Sequence, residues 1–117
     1  MDGILESVRK TIGPESDYTH FDPELIMAIN TAFFTLFELG VGPQDKPFTI
    51  SDDTAKWSDF IDDGYADMVR SYVSMKVKLL FDPPASGTIV DLMKTQLAEF
   101  EWRLNVRVDP KTTFNGG

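Results

Sequence analysis

Proline and glycine cut this chain at four places, and most of the pieces between have apolar residues at helical spacing. Gly13-Pro14, Gly40 to Gly42-Pro43, Asp62-Asp63-Gly64 and Pro83-Pro84 stop a helix, because proline lacks a backbone N–H and glycine suits the left-handed cap. Ile4, Leu5, Val8 and Ile12 give the first piece a helical period. Phe21-Asp22-Pro23-Glu24 reads as a helix start, with Asp22 as N-cap, Pro23 in the first helical position and Glu24 at the positive dipole end. That helix runs to Leu39 and stops at Gly40. Residues 40–53 read as a loop with a short extended piece at Phe48–Ile50, and Thr54–Ile61 as a short helix carrying Trp57 and Phe60. A fourth helix has Tyr65, Met68, Val69, Tyr72, Val73, Leu79 and Leu80 on one stripe and ends by Phe81-Asp82. The last begins near Ser86–Thr88 with Ile89, Leu92, Met93, Leu97, Phe100 and Leu104 as its stripe. Past Val106 the period is lost. The expected fold is all-α: a small helical bundle with three main helices plus short helices and an extended C-terminal arm, divided as domain 1–106 and arm 107–117.

A chain of 117 residues is one domain's worth, with one core. Nineteen acidic against eleven basic residues leave −8 at neutral pH and a pI near 4.4, which argues against gripping nucleic acid, whose phosphates demand Lys and Arg. With no cysteine there are no disulfides, thiolate nucleophiles or Cys-based zinc sites. No apolar run is long enough to span a membrane, and the opening MDGILESVRK lacks the order of a signal peptide.

Some helix faces are left over. The Pro23–Leu39 helix is apolar nearly all round: Leu25, Ile29, Ala32, Phe33 and Leu36 share one face, while Met27 and Phe34 point roughly opposite. Two readings stand open, one in which the first helix and the 40–61 segment wrap its back, and one in which that back is a subunit interface. Trp102, beside Arg103 and away from its helix's stripe, is of a residue type enriched at interfaces. Residues 45–67 hold seven aspartates against Lys46 and Lys56, whereas 68–81 hold Arg70, Lys76 and Lys78 and no acid. Such blocks are either solvated faces or the two halves of a head-to-tail contact between identical subunits.

Catalytic and cofactor motifs are missing. His20 is the sole histidine and reads as a capping or packing residue. Registering Gly64 as the sixth residue of a calcium loop puts Ile61 at position three and Arg70 at position twelve, where a bidentate Glu is required. Gly40-Val41-Gly42 follows a helix and lacks the third glycine of a dinucleotide fingerprint, and there is no phosphate-binding loop or nucleophile elbow. No enzyme, cofactor or metal site is expected.

Three stretches carry a resemblance: YTHFDPELIMAINTAFFTLFELGVGP over 18–43, SYVSMKVKLLFDPPASG over 71–87 and EFEWRLNV over 99–106. In order and spacing they resemble the small head–tail connector proteins, or neck adaptors, of long-tailed phages and prophages. The resemblance implies a structural virion protein at the head–tail junction, assembled in the bacterial cytoplasm. Such subunits form a homo-oligomeric ring, usually of twelve copies, under the portal protein. The ring extends the channel, through which DNA passes without specific binding, and receives the next neck or tail-completion protein. It also implies a C-terminal segment that docks on the portal, for which Val106, Val108 and Phe114 are the apolar candidates here. Lateral contacts would draw on Met27, Phe34, Arg70, Lys76, Lys78, Trp102 and Arg103. The alternative is a small acidic regulatory module of the DNA-mimic type, for which the 45–67 acids fit and the acid-free 68–81 stretch does not. On the stripes above, Asp at Leu80 or Phe81 is expected to destroy the fold.

Overall fold

A computed structural model describes residues 3–12, 21–61 and 64–108, the last two by backbone alone. Among the described residues there are five helices: α1 (Ile4–Ile12), α2 (Asp22–Glu38), α3 (Trp57–Phe60), α4 (Ala66–Phe81) and α5 (Gly87–Val108). No strand forms among them; Gly3 and Lys56 make an isolated bridge. The all-α bundle is as expected, with α2, α4 and α5 as its main helices.

The core is one cluster. Leu25, Ile29, Phe33 and Leu36 of α2 meet Val69, Tyr72, Val73 and Val77 of α4, closed on one side by Ile4, Leu5 and Val8 of α1. Phe33 is also the hub of an aromatic group, with ring centroids 5.1 Å from Phe48, 4.6 Å from Phe60 and 6.1 Å from Trp57. The Trp57 indole nitrogen donates to Ser7 Oγ at 2.8 Å, so its burial leaves no orphan donor. The stretch expected to be extended at Phe48–Ile50 pairs with a side chain instead. Asn30 Nδ2 donates to the Ile50 carbonyl at 3.0 Å and its Oδ1 accepts the Ile50 amide at 2.8 Å, doing for one residue what a strand partner does for many.

Helix ends show which local rules held. At the C-terminus of α2, the Val41 amide donates to the Leu36 carbonyl and the Gly40 amide to that of Phe37, a Schellman cap with Gly40 at φ +86°. At its N-terminus the cap position is Phe21, not Asp22. Asp22 is drawn away by Arg9 of α1, which donates to its carboxylate at 2.9 and 3.3 Å. A charge-assisted bidentate bond outcompetes a capping bond. Ser86 does cap α5, its Oγ accepting the Ile89 amide at 3.3 Å. The breaks at Gly13-Pro14 and Asp62-Asp63, with His20, lie outside the described residues.

Two stripes end sooner than their period implies. Leu80, expected inside, is 53% exposed, and Ile89 and Leu92 are 48% and 64% exposed; Val77, off the expected stripe, is fully buried. The cause is a mismatch of length. Lys94 shares a groove with Leu79 and Leu80, Glu101 reaches back to Tyr72 and Lys76, and Val106 lies with Tyr65 and Met68, so α5 runs back along α4. With 22 residues against 16, α5 overhangs the end of α4 by about two turns. Ile89 and Leu92 stand on that overhang. Helix α5 also continues to Val108, two residues beyond the boundary set for the domain, and residues 109–117 of the arm lie outside the description.

Candidate assembly surfaces

The polar contacts that bind the helices together also define what is left for a partner. Tyr72, fully buried on α4, donates to Glu101 Oε2 of α5 at 2.7 Å and is hydrogen-bonded by the Thr35 side chain of α2. Lys76 lies 3.9 Å from the same carboxylate and over the Tyr72 ring. Burial and the Glu101 carboxylate push the phenol well above its usual range. Asn105 Nδ2 donates to the Leu39 carbonyl at 3.2 Å, fastening α5 to the end of α2. No buried side-chain polar atom among the described residues lacks a partner.

The back of α2 is partly wrapped and partly bare. Ile26 and Ala28 pack against the core, but Met27 and Phe34 are 71% and 49% exposed. At 100° per residue Glu24, Met27, Thr31, Phe34 and Glu38 fall on one narrow stripe, and all five are exposed. The Phe34 ring stacks on Phe37 at 6.3 Å. Among the described residues, neither glutamate has an ion-pair partner. This is an apolar ridge with an acid at each end.

Two grooves flank α5. One of about 290 Å³ runs between α4 and α5, with Leu79, Leu80, Leu97 and Ala98 lining it and Lys76, Lys94 and Glu101 at its rim. The other, about 220 Å³, lies between Tyr65, Met68, Trp102, Arg103 and Val106. Trp102 is 63% exposed on its edge, and Arg103 is held by Glu99 of its own helix at 2.6 Å. A third groove, of about 510 Å³, opens between α1, α4 and α5 beside Ser7, Ser74, Met75 and Met93.

The charge blocks are less free than their sequence suggests. Arg70 lies 5.8 Å from the centroid of the Trp57 ring, Lys78 pairs with Asp82 at 3.2 Å, and Lys76 is engaged by Glu101. In the acid block, Asp59 accepts the Lys56 amide. Asp52 accepts from the hydroxyl and amide of Thr54, which hold its carboxyl below the usual range. Local contacts therefore engage all three cations of the basic block and two aspartates of the acid block. Of the docking candidates, Val106 is half-buried, while the side chain of Val108 and all of Phe114 lie outside the described residues. Sequence reasoning passed over Asn30, Tyr72 as a three-helix node, and Lys94 in the α4–α5 groove. Glu24 was legible as a helix-start acid and Glu38 as polarity, although the wheel that set Met27 and Phe34 apart places them on the same stripe.

Among the described residues no group of three or more His, Asp or Glu side chains is arranged to hold a metal ion. No helix is long and apolar enough to cross a membrane. Compared with known families, the chain matches the model of the phage connector proteins over residues 4–111. No curated protein and no solved structure matches it.

Proposed function

Since this chain belongs to the phage connector protein family, we propose that it is a neck subunit, forming a homo-oligomeric ring of twelve copies beneath the portal and linking head to tail. The observation that carries this reading is that a finished core coexists with unlike exposed surfaces. Among the described residues every buried side-chain polar atom has a partner, yet Met27 and Phe34 stay bare on α2, and Ile89, Leu92 and Trp102 on α5. A closed ring is built from such unlike surfaces, each copy offering one to the neighbour on its left and the other to its right. Connector proteins are structural parts of a particle, and the work assigned here is binding, with no catalysis.

The remaining parts of the reading follow from charge and chain order. A net charge of −8 keeps a channel wall from holding DNA, since phosphates are repelled rather than neutralised. The segment from Asn105 onward, with Val106, Val108 and Phe114, is assigned to the portal, and the opposite face of the ring to the next neck or tail-completion protein. The protein thus resides in the virion neck after assembly in the host cytoplasm. The DNA-mimic alternative is the weaker reading, because the acid-free 68–81 stretch interrupts the run of carboxylates it needs.

The test is sedimentation of the purified protein with tailless, portal-bearing heads. The intact chain should pellet with the heads. Trp102→Ala should bind at least about tenfold more weakly, as truncation of an aromatic hot spot does, while its unfolding curve is unchanged. Removal of residues 107–117 should abolish docking and spare folding. Failure of the intact chain to pellet with demonstrably free portal vertices contradicts the proposal.

A further inference from the structure

We infer that the lateral contact of the ring is a ridge-in-groove joint in which the α2 ridge of one copy enters the α4–α5 groove of the next. This inference rests on the ring reading above. It names which surfaces meet, and charge is what selects them. The ridge is Met27, Thr31 and Phe34 with Glu24 and Glu38 at its ends, about 21 Å apart along the helix. It contains no basic residue, and neither glutamate is paired among the described residues. Two such ridges placed face to face would set carboxylate against carboxylate, so the surface is unsuited to a symmetric dimer.

The α4–α5 groove offers the complement. Its floor is the aliphatic surface of Leu79, Leu80 and Leu97, with Leu80 half exposed although no core requires it there. Its rim carries Lys76 and Lys94. Glu101 already answers Lys76, whereas Lys94 is exposed and has no ion-pair partner among the described residues. A floor of branched side chains between two helices accepts a row of knobs from a third, the usual geometry of helix packing. At about 290 Å³ it lies at the low end for a small-molecule pocket, roughly 300–1,000 Å³, and suits two protruding side chains. The larger groove beside α1 is the weaker candidate, because its cations Arg70 and Lys78 are engaged by Trp57 and Asp82. An acidic ridge and a basic groove on the same chain make a heterologous contact, which closes into a ring when the rotation between copies divides a full turn.

The absence of cysteine makes the joint directly testable. A chain carrying Phe34→Cys and Ala98→Cys, both at exposed positions, is bound to portal-bearing heads and treated with a short bismaleimide. The expected result is a ladder of linked chains from the double variant and none from either single variant. Adding Lys94→Glu to the double variant should lower the ladder by about tenfold or more through like-charge contact, and Glu24→Lys with Glu38→Lys should restore it. Dimers from Phe34→Cys alone, or a ladder only when the second cysteine is at Ser74, overturn the pairing. So does a bound chain that yields no ladder, and in each of these cases the ring reading stands. A chain that does not bind the heads at all takes down the ring reading and this joint with it.

Discussion

Gly42 shows how much a single backbone conformation decides in this fold. Its φ is +83°, and a Cβ there would lie 2.4 Å from the Phe60 ring. Gly42→Ala combines left-handed strain with overpacking of the aromatic group, and urea titration should show a loss of about 2–5 kcal/mol. Tyr72 sets a pH limit. Its folded pKa is raised above the unfolded value of 10.0, so its contribution is complete below pH 10 and falls as pH rises beyond it, with a slope of up to about 1.4 kcal/mol per unit. Tyr72→Phe should be less stable than the parent near neutrality, by about 1 kcal/mol for the lost bond to Glu101. The two stabilities should converge between pH 10 and 12. A constant difference across that range would place the phenol's titration outside folding.

At the scale of helices, the α4–α5 pair predicts unequal costs along its two apolar stripes. Leu80→Asp or Leu92→Asp, both at exposed sites, should shift stability by less than about 1 kcal/mol. Leu104→Ala, at a fully packed site, should remove about 2–5 kcal/mol. Denaturant curves for the three variants decide this, and unfolding by Leu80→Asp would return that residue to the core. The same pair shows what a sequence can and cannot disclose. Apolar spacing and Pro/Gly stops located α1, α2, α4 and α5 because those signals are local. A stripe's period says which way a helix faces but not how far its neighbour extends, so Ile89 and Leu92 were legible as apolar positions and not as an overhang. Asp22 is a related case: it was readable as a residue of capping type, whereas Arg9, thirteen residues earlier, which takes its carboxylate instead, was not. The ridge on α2 was half legible, since the wheel exposes Met27 and Phe34, whereas the groove that complements it exists only when α4 and α5 are packed.

For the whole molecule, the proposal is that a small acidic bundle completes its own core and keeps its remaining apolar surface for copies of itself and for the portal. Exposed side chains such as Met27, Leu92 and Trp102 cost a lone domain solubility, and they are retained where a partner covers them. The core, by contrast, needs no partner, since Tyr72, Trp57 and Asn30 satisfy their polar groups within the chain. Monomers should therefore fold before they assemble, and assembly should leave the helix content of residues 4–108 unchanged. The most direct measurement is electron cryomicroscopy of portal-bearing heads incubated with the purified protein. The account predicts an added ring below the portal, with the α2 ridge of each copy covered by its neighbour and the narrow channel lined by acidic surface. A vertex with no added density, in heads whose portals are free, would contradict it.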